Sequence, residues 1–260
     1  MANNIIDHFN EYFEMIHATS DDLKNEVYKL RYQVFCIENK ILNSEDYPDD
    51  MEFDDFDQQS VHYLIRHRKS GAYAATTRLI LPDVNNPEKL FPSELHCEID
   101  NETVKRSINR RHLGEISRFC VSKAFKKRKN EEHTLVAIGS DRQDDFTLNE
   151  RRTSPHIAIA LMACVIKASH ENDIHYAYAT MEPSFFRFVS ALGINAIKFG
   201  PPVHYLGYRW PALIKGRDLF KCRKEENRDI WNLLTNNGNF WQVRPRNASQ
   251  PLSGARLETD

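Results

Sequence analysis

The chain has 260 residues, of which 41% are hydrophobic and 28% charged, a composition typical of one globular domain. Its longest apolar run, residues 157–166, is half of what a membrane span requires, and the first fifteen residues lack the basic start of a signal peptide. The net charge of −2 combines an acidic segment 1–60 with a basic segment 61–130, which suits either internal pairing or an acidic partner. The five cysteines are odd in number and widely spaced, which indicates no disulfide framework. Together, these features lead us to expect a soluble, cytoplasmic, single-domain protein.

The N-terminal half predicts, in chain order, a short helix, a strand, a longer helix, an acidic loop and a hairpin. Residues 7–13 are amphipathic, and residues 13–18 alternate apolar with polar side chains. Thr19 or Ser20 can cap a helix that starts with the two acids after them, and apolar residues then recur at helical spacing up to Phe35. Residues 38–60 read as a loop, and a β-hairpin follows at 61–66 and 73–81.

The C-terminal half predicts alternating strands and helices. Strands are expected at residues 114–122, 174–180, 194–199 and 203–210, and helices at 155–170, 182–192 and 224–234. The tail from about Arg244 is rich in Pro, Ser, Asn and Gly, which is typical of disorder. The order of elements indicates an α/β protein whose sheet has several antiparallel neighbours.

Several common site motifs are absent from the sequence. It contains no GxxxxGK[ST], GxGxxG, GxSxG or HExxH pattern. The eleven histidines are scattered and none stands at metal-ligand spacing from another, so we expect no metal site. Basic residues between 106 and 129 leave nucleic-acid binding as an alternative, although the chain as a whole is not basic.

Four short constellations place charged residues where chemistry could occur. Arg31 precedes Phe35 by one helical turn, Asp54 and Asp57 stand three apart in the acidic loop, and Arg78 ends a strand. Taken singly, each of these three is typical of surface or sheet-edge residues.

The fourth constellation is Glu115 and Arg118 inside an apolar strand. Burying either side chain costs several kcal/mol unless it is paired, so charges on such a strand point to a site.

In combination, these constellations resemble the acyl-homoserine-lactone (autoinducer) synthases. That family shows an Arg-x-x-x-Phe on its first helix, then an Asp-x-x-Asp, an Arg before a Leu-Leu-Pro-like strand end, and a Glu-x-x-Arg strand. The resemblance covers roughly residues 10–212 and includes a further family Phe. The matching residues, in order, are Arg31, Phe35, Asp54, Asp57, Arg78, Phe91, Glu115 and Arg118.

Two departures separate the chain from the autoinducer synthases. The Trp that they place a few residues after the helix Phe, where it helps to form the S-adenosylmethionine site, is missing from residues 36–42. In addition, residues 115–128 and 200–214 look more like the acyltransferases found with PEP-CTERM/exosortase systems, which are similar to long-chain N-acyl amino acid synthases. We therefore do not expect S-adenosylmethionine to be used.

The resemblance implies a fold and a domain division. All of these families share the GNAT-like α/β fold, a mixed sheet that is splayed between its fourth and fifth strands and flanked by helices. On this basis residues 1–213 form a GNAT-like acyltransferase domain, residues 214–243 an appended C-terminal helix, and residues 244–260 a disordered tail.

The resemblance also implies an N-acyltransferase, which moves a fatty acyl group from a thioester to a small amine such as an amino acid. Glu115 is the expected general base, and backbone N–H groups of Phe119, Cys120 and Val121 are expected to polarise the thioester carbonyl. The electrostatic network and the two aromatic residues of the motif are expected to order the N-terminal segment over the acyl pocket. Their members are Arg31, Phe35, Asp54, Asp57, Arg78, Phe91 and Arg118.

The residues after strand 114–122 bear on the acyl donor. Ordinary GNAT acetyltransferases place a Gly-rich turn there, whose N–H groups hold the coenzyme A pyrophosphate. Here the chain has no Gly before Gly139 and carries a basic run of Lys126, Lys127, Arg128 and Lys129. Such a run favours an acidic acyl carrier protein as partner over coenzyme A, with acyl thioester as co-substrate and no permanently bound cofactor.

Two further alternatives stay open on the sequence. The chain could be an autoinducer synthase that does use S-adenosylmethionine, or a non-catalytic module that binds acyl chains or carrier protein. The structure distinguishes a non-catalytic module from an enzyme by the position of Glu115 and Arg118. In an enzyme they would face a cleft, and in a binding module they could form a closed, buried pair.

Overall fold

The computed structural model describes residues 5–99, 108–126, 148–216 and 228–241. Eight strands form one mixed sheet within these ranges. They are β1 (Phe13–His17), β2 (Ser60–His67), β3 (Tyr73–Ile80), β4 (Leu113–Val121), β5 (Tyr176–Met181), β6 (Ala196–Lys198), β7 (Val203–His204) and β8 (Tyr208–Lys215).

The sheet has the strand order β1-β2-β3-β4-β5-β8-β6, with the short β7 paired to β8. Strands β1 to β4 are antiparallel neighbours, β4 and β5 are parallel, and β8 runs antiparallel to β5 and β6. Gly114 is required where β3 and β4 approach each other, because a Cβ there would lie 2.8 Å from the Ile80 carbonyl oxygen. The mixed sheet confirms the predicted fold class.

The described residues form six helices that flank the sheet: α1 (Ile5–Tyr12), α2 (Asp21–Tyr32), α3 (Pro92–His96), α4 (Leu148–Glu171), α5 (Pro183–Ala191) and α6 (Arg228–Thr235). Ser20 caps α2, as predicted, by accepting a hydrogen bond from the Leu23 N–H at 3.3 Å. The chain then continues into a π-helical turn, Gln33–Glu38. None of the helices in the described ranges is long and apolar enough to cross a membrane.

Helices pack against both faces of the sheet. Successive residues of a strand point to opposite faces, and here apolar side chains occur on both of them. On β2, Ile65 lies in a core cluster with Ile157 and Leu161 of α4, whereas its neighbour Leu64 lies in a cluster with Val27 of α2. The central strands are therefore buried by helices on both sides, and Ala158 of α4 also belongs to the cluster that contains Val27.

The end of the sheet differs from the expectation of one strand over residues 203–210. Leu206 and Gly207 both have positive φ, 53° and 103°, so the chain turns there and separates the two-residue β7 from β8. The proposed domain boundary at residue 213 falls inside β8. Beyond it, Leu233 and Leu234 of α6 lie buried in one of the core clusters. The predicted tail 244–260 lies outside the described residues.

Candidate active site

A cleft opens where β4 and β5 separate. The two strands pair in parallel from Leu113 with Tyr176 to Ile116 with Ala179, and no later β4–β5 pair occurs among the described residues. Both strands continue past this point, so the sheet is splayed between its fourth and fifth strands, as predicted. Apolar walls come from Phe35, Ile116, Phe119, Met181 and Phe185. Polar groups on the walls come from Glu115, Arg118, Glu182, Tyr205 and Arg209.

A β-bulge lies on the wall that β4 contributes. The β3–β4 register passes from Arg78 with Ser117 to Thr76 with Cys120, so β4 carries one residue more than β3 over this stretch. Arg118 takes up the irregularity with a φ of 51°, a conformation unusual for a residue with a side chain. The bulge therefore re-aims the backbone and the Arg118 side chain at the point where the sheet opens.

Arg31 is fully buried beside two carboxylates. It lies on the inward stripe of α2, one helical turn after the buried Val27. Its Nε donates to Glu52, and its Nη1 and Nη2 donate to Asp57 at 2.7 and 3.2 Å. Burial by itself lowers the pKa of Arg31, but the two carboxylates outweigh it and hold that pKa above its ordinary value.

Arg78 on β3 links the two predicted aspartates. Its Nη1 donates to Asp54 at 2.6 Å and to Asp57 at 2.7 Å, and its Nε donates to the Ser117 hydroxyl at 2.9 Å. The loop is folded by the same aspartates, since the Asp54 N–H donates to Asp57 Oδ2 at 2.7 Å. The spacing of three in the sequence is what allows this local turn.

Arg118 extends the network to the cleft. Its Nε and Nη2 donate to Glu52 at 2.8 to 3.0 Å, and its Nη2 also donates to Asp54 at 3.0 Å. Its guanidinium lies over the Phe35 ring, 5.6 Å from the centroid. The structure thus brings the five predicted charged residues of the network together, with Phe35 at their edge.

Glu52 is the member of the network that sequence reasoning missed. Its side chain is fully buried between Arg31 and Arg118. Burial raises the pKa of Glu52, but the two guanidinium groups outweigh that effect and lower it to about 2. A count of charges could have found it, because three arginines buried beside two aspartates need a third carboxylate to be neutral.

His62 lies next to the charged network, beside Asp57. Its Nε2 is 3.6 Å from Asp57 Oδ1, and its side chain is buried. Burial, partly offset by Asp57, lowers the pKa of His62 to about 4, so its imidazole is neutral near pH 7. It therefore adds no charge to the balanced network.

Glu115 stands apart from the network. It is 1% exposed, it lies on the cleft wall, and its Oε2 accepts a hydrogen bond from the Ser93 N–H at 2.9 Å. Burial raises the pKa of Glu115 to about 7, although the Ser93 hydrogen bonds and Arg78 offset part of the rise. A carboxyl group with this pKa can accept and release a proton near neutral pH.

The remaining predicted site residues divide between cleft and core. Phe119 lines the cleft, whereas Cys120 and Val121 are buried and in register with β3. Phe91 is buried and packs edge-on against Tyr178, with ring centroids 6.2 Å apart. Phe91 is therefore a core residue in this structure, and its neighbour Pro92 reaches the cleft wall instead.

The predicted basic patch is described only at Lys126. That side chain is half-buried, and burial lowers its pKa. Its partners in the run, Lys127, Arg128 and Lys129, lie outside the described residues.

The side chain of Glu38 contacts the residues that follow β4, just before the basic run. Its carboxylate accepts hydrogen bonds from the Lys123 N–H at 2.8 Å and from the Ser122 hydroxyl at 3.0 Å. The π-helical turn Gln33–Glu38 carries it there from α2. Sequence reasoning missed this contact, since nothing local relates the two segments.

Two histidines meet at the other end of β4 and β5, away from the cleft. His112 and His175 stack with centroids 4.6 Å apart, and each contacts the Asp173 carboxylate, at 3.2 and 2.9 Å. These three side chains could hold a metal ion. These two histidines are 63 positions apart in the sequence, and the hydrogen bond from the His175 N–H to the His112 carbonyl oxygen, at 2.8 Å, places them side by side.

Comparisons with known proteins agree with this architecture. Residues 30–136 match a family described as Acetyltransferase (GNAT) domain. The solved structure of TofI in a ternary complex with an inhibitor and MTA is 19% identical, with a TM-score of 0.51, over 78% of this chain and 91% of that one. No curated protein matches the sequence significantly.

Two other similar solved structures are of enzymes whose activities differ from each other. BjaI, a CoA-dependent acyl-homoserine lactone synthase solved with SAM and isopentyl-CoA, is 17% identical over 86% of this chain and 88% of its own, with a TM-score of 0.51. FeeM, an N-acyl amino acid synthase from uncultured soil microbes, is 12% identical over 80% and 95%, with a TM-score of 0.50. Likenesses at this level establish the fold. The match of residues 30–136 to the GNAT acetyltransferase domain confirms the predicted enzyme class, an acyltransferase.

Proposed function

We propose that the protein is an N-acyltransferase that moves a fatty acyl group from an acyl thioester to a small amine such as an amino acid. The observation that carries the proposal is Glu115, a buried carboxyl group with a pKa of about 7 on the wall of the β4–β5 cleft. A thioester held in the gap between the strands would place its carbonyl beside this group. The resemblance to acyltransferases found with PEP-CTERM/exosortase systems stays a prediction.

The reaction requires that the amine lose a proton as it attacks the carbonyl. Glu115 accepts this proton, directly or through one water, and its pKa of about 7 suits it to proton transfer near neutral pH. As the proton leaves, the amine nitrogen bonds to the carbonyl carbon. Collapse of the tetrahedral intermediate breaks the C–S bond, and the leaving thiolate takes up the proton that Glu115 had accepted. Glu115 is the one acidic residue of β4, the strand that forms a wall of the cleft, and we assign it this role for that reason.

The developing negative charge on the carbonyl oxygen needs hydrogen-bond donors. Successive N–H groups of a strand point to alternate sides, and past Ile116 the described residues of β5 no longer pair with β4. Backbone N–H groups of residues 119–121 that face the gap can therefore bind the carbonyl oxygen. The bulge at Arg118 sets their direction.

The charged network supports the acyl pocket. It joins α2, the acidic loop and β4 through three arginines and three carboxylates, and Phe35 and Arg118 belong both to this assembly and to the cleft wall. A rigid wall next to the reacting carbonyl keeps the thioester and amine aligned. We therefore assign the network a positioning role.

An acyl carrier protein is the donor that we favour over coenzyme A. The Lys123 N–H and Ser122 hydroxyl at the end of β4 bind the chain's own Glu38 carboxylate, so these donors are taken by an internal anion. The basic run at residues 126–129 suits an acidic protein surface. Such a donor is a cytoplasmic protein, and we expect the enzyme to act in that compartment.

Acyl-homoserine-lactone synthesis is the second candidate function, favoured by the fold of BjaI, which was solved with SAM. The Trp expected after Phe35 is absent from residues 36–42 of this chain, and we therefore place this candidate second. Detection of acyl-homoserine lactone by a reporter strain would reverse the order.

A non-catalytic acyl-binding module is less well supported by the geometry. Glu115 and Arg118 have separate partners, and both face the cleft instead of forming a closed pair. A buried carboxyl group with a raised pKa on the wall of a cleft is more typical of a catalytic site than of a binding module.

The function is tested by mass spectrometry of lipid extracts from cells that overproduce the protein. Extracts from cells with an empty vector, and from cells producing Glu115→Gln, serve as controls. We expect N-acylated amines in the wild-type extract alone. Identical lipid profiles in all three, with the protein present and folded, would overturn the proposal.

A further inference from the structure

Arg209 is a cleft residue that the mechanism above does not use. It lies on β8, and its side chain is 11% exposed. Its Nε donates to the Leu206 carbonyl at 2.9 Å and its Nη1 to the Thr180 carbonyl at 3.3 Å. Its carboxylate contact, between Nη2 and Glu182 Oε1, is long at 3.5 Å.

The other buried arginines of this region are held differently. Arg31, Arg78 and Arg118 each donate to two carboxylates, and each has at least one such contact at 2.8 Å or less. Carbonyl oxygens orient a guanidinium but carry no net charge to neutralise it. Arg209, with two carbonyls and one distant carboxylate, is therefore the least neutralised of the four.

The pKa directions agree with this geometry. Burial lowers the pKa of Arg209, and Glu182 offsets the effect only in part. For Arg118 the same burial is outweighed by Glu52, and its pKa lies above the ordinary value. Among the buried arginines that the structure describes around the cleft, Arg209 is thus the one whose positive charge is least neutralised and can bind an anionic ligand.

The chemistry of acyl transfer limits what that ligand could be. The thioester and the acyl chain of the donor are uncharged, and the donor's phosphate is a full pantetheine arm away from the sulfur. An anion next to Arg209 would therefore belong to the acceptor. A carboxylate matches a guanidinium in both charge and planar geometry.

From this arrangement we infer that Arg209 binds the carboxylate of the amine acceptor, which makes the acceptor an amino acid and not an uncharged amine. The inference rests on the proposed N-acyltransferase function. Tyr205, half-buried on the same wall, is placed to line the acceptor side together with Arg209.

The test uses the purified full chain and an acyl carrier protein loaded with a long-chain acyl group as the donor. The acceptors are supplied as matched pairs. Each pair consists of an α-amino acid and its amide, such as leucine and leucinamide, so that only the carboxylate differs. For the wild type we expect a KM for the acid at least ~10-fold below that for the amide, the range of one charge-assisted hydrogen bond. Arg209→Gln should raise the KM for acids by ~10- to 100-fold and change the KM for amides much less.

Two further variants separate binding from structure. Arg209→Lys keeps the charge and should restore part of the preference for acids, whereas Arg187→Gln, at an exposed arginine of α5, should behave as wild type. Melting temperatures report whether each variant folds. Should Arg209→Gln not fold, the comparison of acids with amides in the wild type and in Arg209→Lys still decides the question.

The possible failures are distinct. Equal use of acids and amides by the wild type, or an equal rise in both KM values in Arg209→Gln, would overturn the role of Arg209 and leave the proposed function standing. Absence of acylation for every amine tested would overturn both.

Discussion

Arg118 and Glu52 are 66 residues apart in the sequence and joined in the structure by hydrogen bonds of 2.8 to 3.0 Å from both Nε and Nη2. This contact fastens the bulged segment of β4 to the acidic loop. Asp54 shares the Arg118 guanidinium at 3.0 Å, whereas Asp57 is bound by Arg31 and Arg78. The cleft wall and the N-terminal part of the chain therefore depend on one set of ion pairs.

Removing Arg118 should destabilise the protein. In Arg118→Ala, Glu52 stays buried with one fewer partner, and breaking a buried pair from one side costs about 3–5 kcal/mol in the free energy of unfolding. Urea denaturation measures this quantity. Lys29→Ala, which removes an exposed pair with Glu26, is the matched control and should unfold like the wild type. A loss for Arg118→Ala as small as that of the control would show that the network does not stabilise the fold.

The same network predicts how stability changes in acid. The pKa of Glu52 is lowered to about 2 in the folded state, so the folded protein binds this proton less readily than the unfolded chain. Its contribution to stability is present above the ordinary carboxyl pKa and is lost as the pH falls from about 4.5 towards 2. Chemical denaturation across this window should show the loss, and Glu52→Gln should flatten the slope. Glu26→Gln, on the exposed surface of α2, should not.

Glu115 should affect turnover more than folding. Glu115→Gln keeps size and hydrogen-bonding capacity but cannot accept a proton, so kcat should fall roughly 10²- to 10⁴-fold. In the wild type, activity should rise with pH around a midpoint near 7, where Glu115 ionises. Near-wild-type turnover in a folded Glu115→Gln enzyme would remove Glu115 as the base and leave water or substrate-assisted deprotonation to be tested.

The raised pKa of Glu115 also has a thermodynamic signature. The folded state holds this proton more tightly than the unfolded chain, so the contribution to stability is present below the ordinary carboxyl pKa and declines as the pH rises through about 7. The melting temperature of Glu115→Gln should lack this decline. Parallel curves for wild type and variant between pH 5 and 8 would contradict the assigned pKa.

Glu38 should influence the choice of donor. Glu38→Ala frees the Lys123 N–H and the Ser122 hydroxyl and removes a negative charge from the end of β4. We expect the KM for acyl-coenzyme A to fall relative to that for acyl carrier protein, because a phosphate could then use these donors. Steady-state kinetics with both donors measures the ratio. Glu45→Ala, at an exposed acid of the following loop, is the control, and an unchanged ratio in both variants would refute this role.

The basic run should act on carrier-protein donors. Changing Lys126, Lys127, Arg128 and Lys129 to Glu should raise the KM for acyl carrier protein by ~10-fold or more, since electrostatic attraction is lost. The KM for short acyl-coenzyme A serves as the internal reference. If short acyl-coenzyme A is the better wild-type donor and the reversal changes nothing, coenzyme A is the donor.

Much of the fold is determined by local patterns in the sequence. Alternating apolar residues set β1 and the β2–β3 hairpin, and helical spacing after Ser20 set α2, because both depend on neighbours within a few positions. These elements follow from short stretches of chain, which a single sequence displays directly. The members of the ion-pair network other than Glu52 were instead predicted from the resemblance of the ordered motifs to the autoinducer synthases.

Contacts between distant segments were decided by the tertiary structure alone. Glu52 reads as one more acid in an acidic loop until Arg31 and Arg118 enclose it, and His112 meets His175 only through the pairing of two parallel strands. The positive φ of Arg118 and the separation of β4 from β5 past Ile116 have no local sequence signal either. Ion pairing, desolvation and strand register depend on which groups become neighbours in space, and that depends on the packing of the whole chain.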